Sequence, residues 1–328
     1  MKNLPRTVAG MLASLALVIP AFAVDGPVGA PSASADPHQG LALQIAMERS
    51  GFSPGILDGN GGRKTTLAIR LFQESRGMPV TGQADAATLT ALRVDAAGAV
   101  FTYTVQDSDL AQVGPLPRKW ADKAKASRLP YPSLDEALAE KFHCTRALLS
   151  SLNGGKSIAS LKVGQTLVAP AVPAMPLWSG VEKLQIDLSA KTIRLVGAGG
   201  KPVGLVYCSV AAKKSNLPHG RTSVVVISQM PTYKFDPSHW PEVRGIGKTL
   251  ILPPGPRNPV GMCWMGLGLR GYGIHGTPSP ENIGKTGSHG CIRLANWDAV
   301  RMGKSIALGT PVVFTNGISP TAVASTTR

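Results

Sequence analysis

The chain has 328 residues, with 34 Lys+Arg against 19 Asp+Glu and a formal charge of +15. That length is more than one typical small domain needs and suits two or three. So basic a chain is drawn to an anionic polymer or surface. No nucleic-acid-binding motif accompanies the charge, which excludes nucleic acid as the natural partner.

The first residues read as a secretory signal over 1–23. Lys2 and Arg6 are followed by an apolar core, Val8 to Ile19, ended by Pro20, and Ala21-Phe22-Ala23 places small residues where a signal peptidase cuts. No later segment approaches the roughly eighteen uninterrupted apolar residues of a membrane span, so none is expected after signal removal. The expected location is exported, in the periplasm or cell wall, and cell-wall polymer is then the better partner for the charge. Residues 24–37, ending in "APSASADP", read as a linker.

Residues 38–96 carry helical spacing. Leu41 and Ile45 share one face before Gly51; Thr65 or Thr66 caps a second helix with Leu67, Leu71 and Phe72, ended by Gly77; Asp85 caps a third with Leu89 and Leu92. The expectation is three small helices around one core. Asp58-Gly59-Asn60 lacks the later ligands of a calcium loop. The run from Gly51 to Leu92, with Asp58-Gly59, Thr65, Phe72-Gln73, Gly82 and Thr88-Leu89, resembles the three-helix peptidoglycan-binding domain of cell-wall enzymes.

Residues 100–172 open on "FTYTVQ" and close on "LKVGQTLVAP", with helical spacing at Leu134, Leu138, Phe142, Leu148, Leu149 and Leu152 between them. Strand, helices, strand is the plan of a LysM carbohydrate-binding module, which these residues resemble, apart from an insertion near 114–133, "GPLPRKWADKAKASRLPYPS". His143 and Cys144 are placed on the helix as packing residues.

From Trp178 the pattern is β-rich. "LQIDLSAKTIRLVG" reads as a hairpin, "VGLVYCSVAA", "RTSVVVISQ", "KTLILPP" and "TPVVFT" as strands, and Asn296 as the N-cap of one main helix. A mostly-β domain over 178–316 and a disordered tail over 317–328 complete the organisation.

The chemistry-bearing cluster is "SHGCIRLANWD", Ser288 to Asp298, with a second histidine upstream in "GIHGTP". Cysteine attacks carbonyls as its thiolate, and a neighbouring histidine can hold the proton. Three readings stand on residue chemistry: thiol catalysis by Cys291 with His275 or His289, a structural turn, or zinc on His275, His289 and Cys291. Under the first, the N–H groups of Gly290 and Cys291 supply an oxyanion site, and Arg293 can pair with a substrate carboxylate. The other cysteines, Cys144, Cys208 and Cys263, are widely spaced; Cys208 and Cys263 could pair, and a free Cys263 could protect Cys291 by a reversible disulfide.

The segment "GYGIHGTPSPENIGKTGSHGCIRLANWDA" resembles the active-site signature of the L,D-transpeptidases, the YkuD-type fold, over about Trp178 to Asn316. The resemblance implies that Cys291 is the nucleophile, His275 its base and Gly276 the carbonyl that orients His275. It implies that His289 assists, that Ser288, Gly290, Arg293 and Thr277 face the oxyanion or substrate, and that neither metal nor cofactor takes part. It further implies a peptidoglycan stem-peptide donor and an amine acceptor, with carbapenems as inhibitors. An L,D-carboxypeptidase, a lipoprotein-anchoring enzyme of the same fold, and a non-catalytic wall-binding protein are the alternatives.

Overall fold

The computed structural model describes residues 37–239, 243 and 245–317; the expected signal, the rest of the linker and all but the first residue of the tail lie outside them. Three helices come first: α1 (Pro37–Arg49), α2 (Arg63–Ser75) and α3 (Ala86–Leu92). Asp85 caps α3, its carboxylate accepting from the Thr88 N–H at 2.8 Å. The cap expected at Thr65 or Thr66 is instead Gly62, and both threonines are buried within the first turn of α2. Nor do the helices enclose one private core. Leu41, Ala42 and Ile45 of α1 pack with the middle unit, while Leu43, Ala46 and Met47 pack with α2, α3 and Leu205, Tyr207 and Ile283 of the C-terminal unit. A helix apolar on two faces must be buried on both.

The middle unit runs β1 (Val100–Thr104), α4 (Asp107–Leu110), α5 (Trp120–Lys123), α6 (Leu134–Lys141), α7 (Arg146–Leu152) and β2 (Thr166–Pro170), with β1 and β2 antiparallel. His143 and Cys144 lie past the end of α6, not on it. Cys144 is buried, while His143 has a positive φ of 53° and its Nδ1 lies 2.7 Å from Glu48 Oε1. Part of the 114–133 insertion packs against the C-terminal unit. Leu129 is fully buried with Phe235, Leu250 and Leu252, and Trp120 stacks on Phe235 with ring centroids 4.1 Å apart.

The C-terminal unit contains β3 (Lys183–Asp187), β4 (Thr192–Val196), β5 (Pro202–Tyr207), β6 (Arg221–Gln229), β7 (Tyr233–Phe235), β8 (Leu250–Leu252), β9 (Cys263–Leu267), β10 (Gly273–His275), β11 (Ile292–Arg293), α8 (Asn296–Ser305) and β12 (Pro311–Thr315). Ten of these strands split into an eight-stranded sheet, ordered β11-β10-β9-β6-β12-β3-β4-β5, and a small β7–β8 hairpin. The main sheet curls on itself. Ser209, just past β5, exchanges two 2.9 Å backbone bonds with Arg293 on β11. Phe52 bridges to Leu205 on the outer edge of β5, so the first unit covers an edge that would otherwise be open.

The core of the curl joins Leu184, Ile186, Ile193, Val206, Met265, Ile274 and Ile292 to Ala299 and Met302 of α8. Asn296 is the first residue of α8 and not its cap; Ala295 holds that position, and the Asn296 side chain bonds elsewhere. Trp178 ties the units together, its indole N–H donating to Gly51 O at 3.0 Å while Arg301 lies over its ring at 3.8 Å.

Candidate active site

Strand register decides which side chains meet. β10 and β11 are parallel, with Ile274 opposite Ile292 and His275 opposite Arg293. Side chains alternate across a sheet, so the two isoleucines enter the core while His275 and Arg293 share the other face. Cys291 lies in the bend one residue before β11, with the Gly273 N–H facing its sulfur. On the far side of β10, β9 places Trp264 opposite His275, and the two rings stack at 5.6 Å. Gly273 leaves room for the indole, because a Cβ there would lie 2.3 Å from the Trp264 ring.

His275 is buried, and its Nδ1 lies 2.7 Å from the Gly276 carbonyl oxygen. A carbonyl can only accept, so Nδ1 carries the proton and Nε2 is left as the acceptor. Burial, reinforced by the Arg293 charge, holds His275 down at about 4 despite the opposing pull of the Gly276 bond. Burial likewise raises Cys291, against the Gly273 N–H and the Arg293 charge, which favour its thiolate. Burial thus favours the neutral form of both groups. The Cys291 Sγ lies 3.7 Å from the Gly271 carbonyl oxygen.

The remaining candidates hold the loop. Ser288 Oγ donates to the Cys291 carbonyl at 2.5 Å and accepts from the Gly290 N–H at 3.2 Å. Arg293 Nη2 donates to the Thr286 and Gly287 carbonyls at 2.9 and 2.6 Å, so this nitrogen braces the 286–287 turn. The Thr277 hydroxyl accepts from the Ser279 N–H at 3.3 Å, within its own turn. His289 is exposed, and its carbonyl accepts from Asn216 Nδ2 at 2.8 Å. Tyr272, whose hydroxyl donates to Asn216 O at 3.1 Å, closes this side. Sequence reading passed over Trp264, Tyr272 and Asn216. Tyr272, three residues before His275, offered a signal; Asn216 offered none.

Cys263 and Met265 lie on the core face of β9, and a Cβ on Gly303 of α8 would come 2.5 Å from the Cys263 sulfur. Cys263 thus points away from Cys291, and all four cysteines are free thiols, so neither the Cys208–Cys263 pair nor a protective bond from Cys263 to Cys291 is formed. Among the described residues no group of three or more His, Cys, Asp or Glu side chains is placed to hold a metal.

Residues 182–314 match the family model "L,D-transpeptidase catalytic domain". That stretch is similar to the catalytic domain of the YkuD-type L,D-transpeptidases. Residues 41–92 match a second model, "Putative peptidoglycan binding domain". The transpeptidase relatives include "Putative L,D-transpeptidase YkuD" of Bacillus licheniformis, 26% identical over 183 residues, which are 55% of this chain and 92% of that protein. "Putative L,D-transpeptidase YqjB" of Bacillus subtilis is 35% identical over 34% of this chain and 59% of its own length. "Probable L,D-transpeptidase YbiS" of Escherichia coli is 38% identical over 26% of this chain and 28% of its own length. Among solved structures, the L,D-transpeptidase (residues 123–326) of Xylanimonas cellulosilytica aligns at 16% identity and a TM-score of 0.34, covering 84% of this chain and 92% of that one. The matched stretch 182–314 contains Cys291, His275 and Arg293. Among the described residues no helix is long and apolar enough to cross a membrane.

Proposed function

We propose that the protein is an exported peptidoglycan L,D-transpeptidase with Cys291 as nucleophile and His275 as general base. What supports this reading is the pairing of His275 with Arg293, two residues past Cys291, together with the Gly276 carbonyl on Nδ1, which leaves Nε2 to accept a proton. Because burial favours the neutral form of both groups, deprotonation and attack are concerted. Cys291 Sγ adds to the carbonyl of the third residue of a tetrapeptide stem as its proton passes to Nε2. The N–H of Cys291, with that of Gly290 once exchanged from Ser288 Oγ, holds the oxyanion. Collapse breaks the C–N bond, the proton goes to the departing D-alanine amine, and a thioester remains.

A second stem's amine then attacks the thioester, giving up its proton to His275, and the C–S bond breaks to restore the thiol. One peptide bond replaces another as a 3→3 cross-link forms, so no ATP is consumed. Arg293 and His289 border the donor, and Thr277 supports the turn beneath it. The helical unit and the LysM-like middle unit present the glycan to the site, with the basic charge adding a salt-sensitive attraction. The helical unit shares a core with Leu205, Tyr207 and Ile283, and the middle unit's insertion shares one with Phe235, Leu250 and Leu252, so both act as fixed surfaces.

Digestion of sacculi treated with the purified protein tests the acceptor. Dimers linked 3→3 are expected; tripeptide stems without such dimers would make the protein a carboxypeptidase, and stems joined to a lipoprotein lysine an anchoring enzyme.

A further inference from the structure

The turn that carries the His275 partner is held by the middle unit. Gly276 has no space for a side chain: a Cβ would lie 2.2 Å from Asn296 Oδ1, and one on Gly261, across the contact, 2.1 Å from the same atom. Asn296 is the wedge between the two segments. Its Oδ1 accepts from the Met262 N–H at 3.0 Å, which fixes the amide orientation and turns Nδ2 toward acceptors. Those acceptors are Pro256 O at 3.3 Å and Glu140 Oε1 at 2.8 Å. Glu140 lies on α6, in the middle unit, and its carboxyl is also bonded to Tyr131.

One helical turn earlier on α6, Glu136 accepts from Arg257 Nη1 at 2.7 Å, and the same nitrogen donates to Pro278 O at 2.6 Å. Residues four apart lie on one helix face, so α6 presents two carboxylates to the same turn. Glu140 acts through Asn296 on Gly276, and Glu136 acts through Arg257 on Pro278. They grip both ends of the segment whose carbonyl receives the His275 Nδ1 proton.

We propose that Glu140 and Glu136 are positioning residues for His275, and that α6 is a working part of the transpeptidase site contributed by the middle unit. The proposal rests on His275 being the base. Its chemical content is tautomer control: a Gly276 carbonyl fixed on Nδ1 keeps Nε2 unprotonated and aimed at the thiol.

The test compares full-length wild type with Glu140→Ala, Glu140→Gln and Glu136→Ala. It measures the rate of carbapenem acylation by intact mass and the His275 tautomer by 15N NMR. Glu140→Ala is expected to slow acylation about 10²-fold, the scale of an ångström-sized misplacement, and to mix the Nε2–H tautomer into a wild-type spectrum of Nδ1–H. Glu140→Gln, which keeps an acceptor for Asn296, should recover most of the rate and the single tautomer. Should Glu140→Ala not fold, Glu136→Ala, at a partly exposed position, carries the test with a smaller loss in the same two readouts. Wild-type rates and an unchanged tautomer in the folded alanine variant would overturn the proposal. A wild type that is not acylated, or a His275→Asn variant acylated at full rate, would instead sink the reading of His275 as base.

Discussion

Arg293 on β11 stands opposite His275 on the parallel strand β10, and Cys291 lies in the bend one residue before β11, where the Gly273 N–H faces its sulfur. Trp264 closes over that glycine and stacks on the histidine.

The first prediction concerns pH. His275 is lowered to about 4 by burial and by Arg293, so the imidazole is still an acceptor at pH 5 and is protonated only below that. Carbapenem acylation should keep its rate from pH 7 down to about pH 5 and fall near pH 4. With Cys291 raised, alkylation by iodoacetamide should be slow at pH 7 and quicken in alkali. An acid limb near 6.5 would contradict this account of the pair.

Gly273→Ala should damage the site from beneath. The new methyl meets the Trp264 ring at 2.3 Å, so the indole must leave its stack on His275. Overpacking of this kind costs about 1–3 kcal/mol, and acylation should slow while Cys291 stays present and free. A variant with wild-type rate and melting temperature would show that the indole has room to yield.

Stability should fall as the pH rises from about 4 to neutrality. Asp298, buried beside Glu48, is raised from 3.8 to about 7 by burial and by that neighbour, with His143 and Arg301 opposing. A raised acid stabilises the fold below its unfolded value and loses that contribution as the pH climbs through the folded one. His143, raised by Glu48 against its own burial, acts in the same direction. The melting temperature should therefore drop between about pH 4 and about pH 7.5, with a shallower drop in Asp298→Asn; an equal slope in both proteins would remove Asp298 as the cause.

Leu129→Ala tests the insertion. Leu129 is fully buried, its N–H donates to Pro254 O at 2.9 Å, and its carbonyl accepts from the Arg257 N–H at 3.2 Å. Emptying such a site costs about 2–5 kcal/mol. A melting temperature within a degree of wild type would mean that the insertion is not anchored on the β7–β8 hairpin.

Much of the sheet was legible in the sequence because its strands alternate. β6 spans the whole of "RTSVVVISQ", and the β3–β4 hairpin covers "LQIDLSAKTIRLV" and one residue before it. β9, β10 and β11 were not legible. "CWMGL", "GIH" and "IR" are short, and glycines replace side chains where Trp264 and the loops need space. Asn296 looked like a cap because a polar residue precedes an apolar helical pattern. Its amide is instead spent on Glu140, 156 residues away in the chain, and no local pattern encodes such a contact. The same holds for the α1 helix, whose second apolar face finds its partners only in the middle unit.

The most direct measurement is peptide mapping by mass spectrometry of the full-length protein after reaction with a carbapenem. The account predicts one adduct per chain, on the peptide containing Cys291, absent from Cys291→Ala and strongly slowed in His275→Asn. An adduct on Cys144, Cys208 or Cys263, or none on the folded wild type, would contradict it.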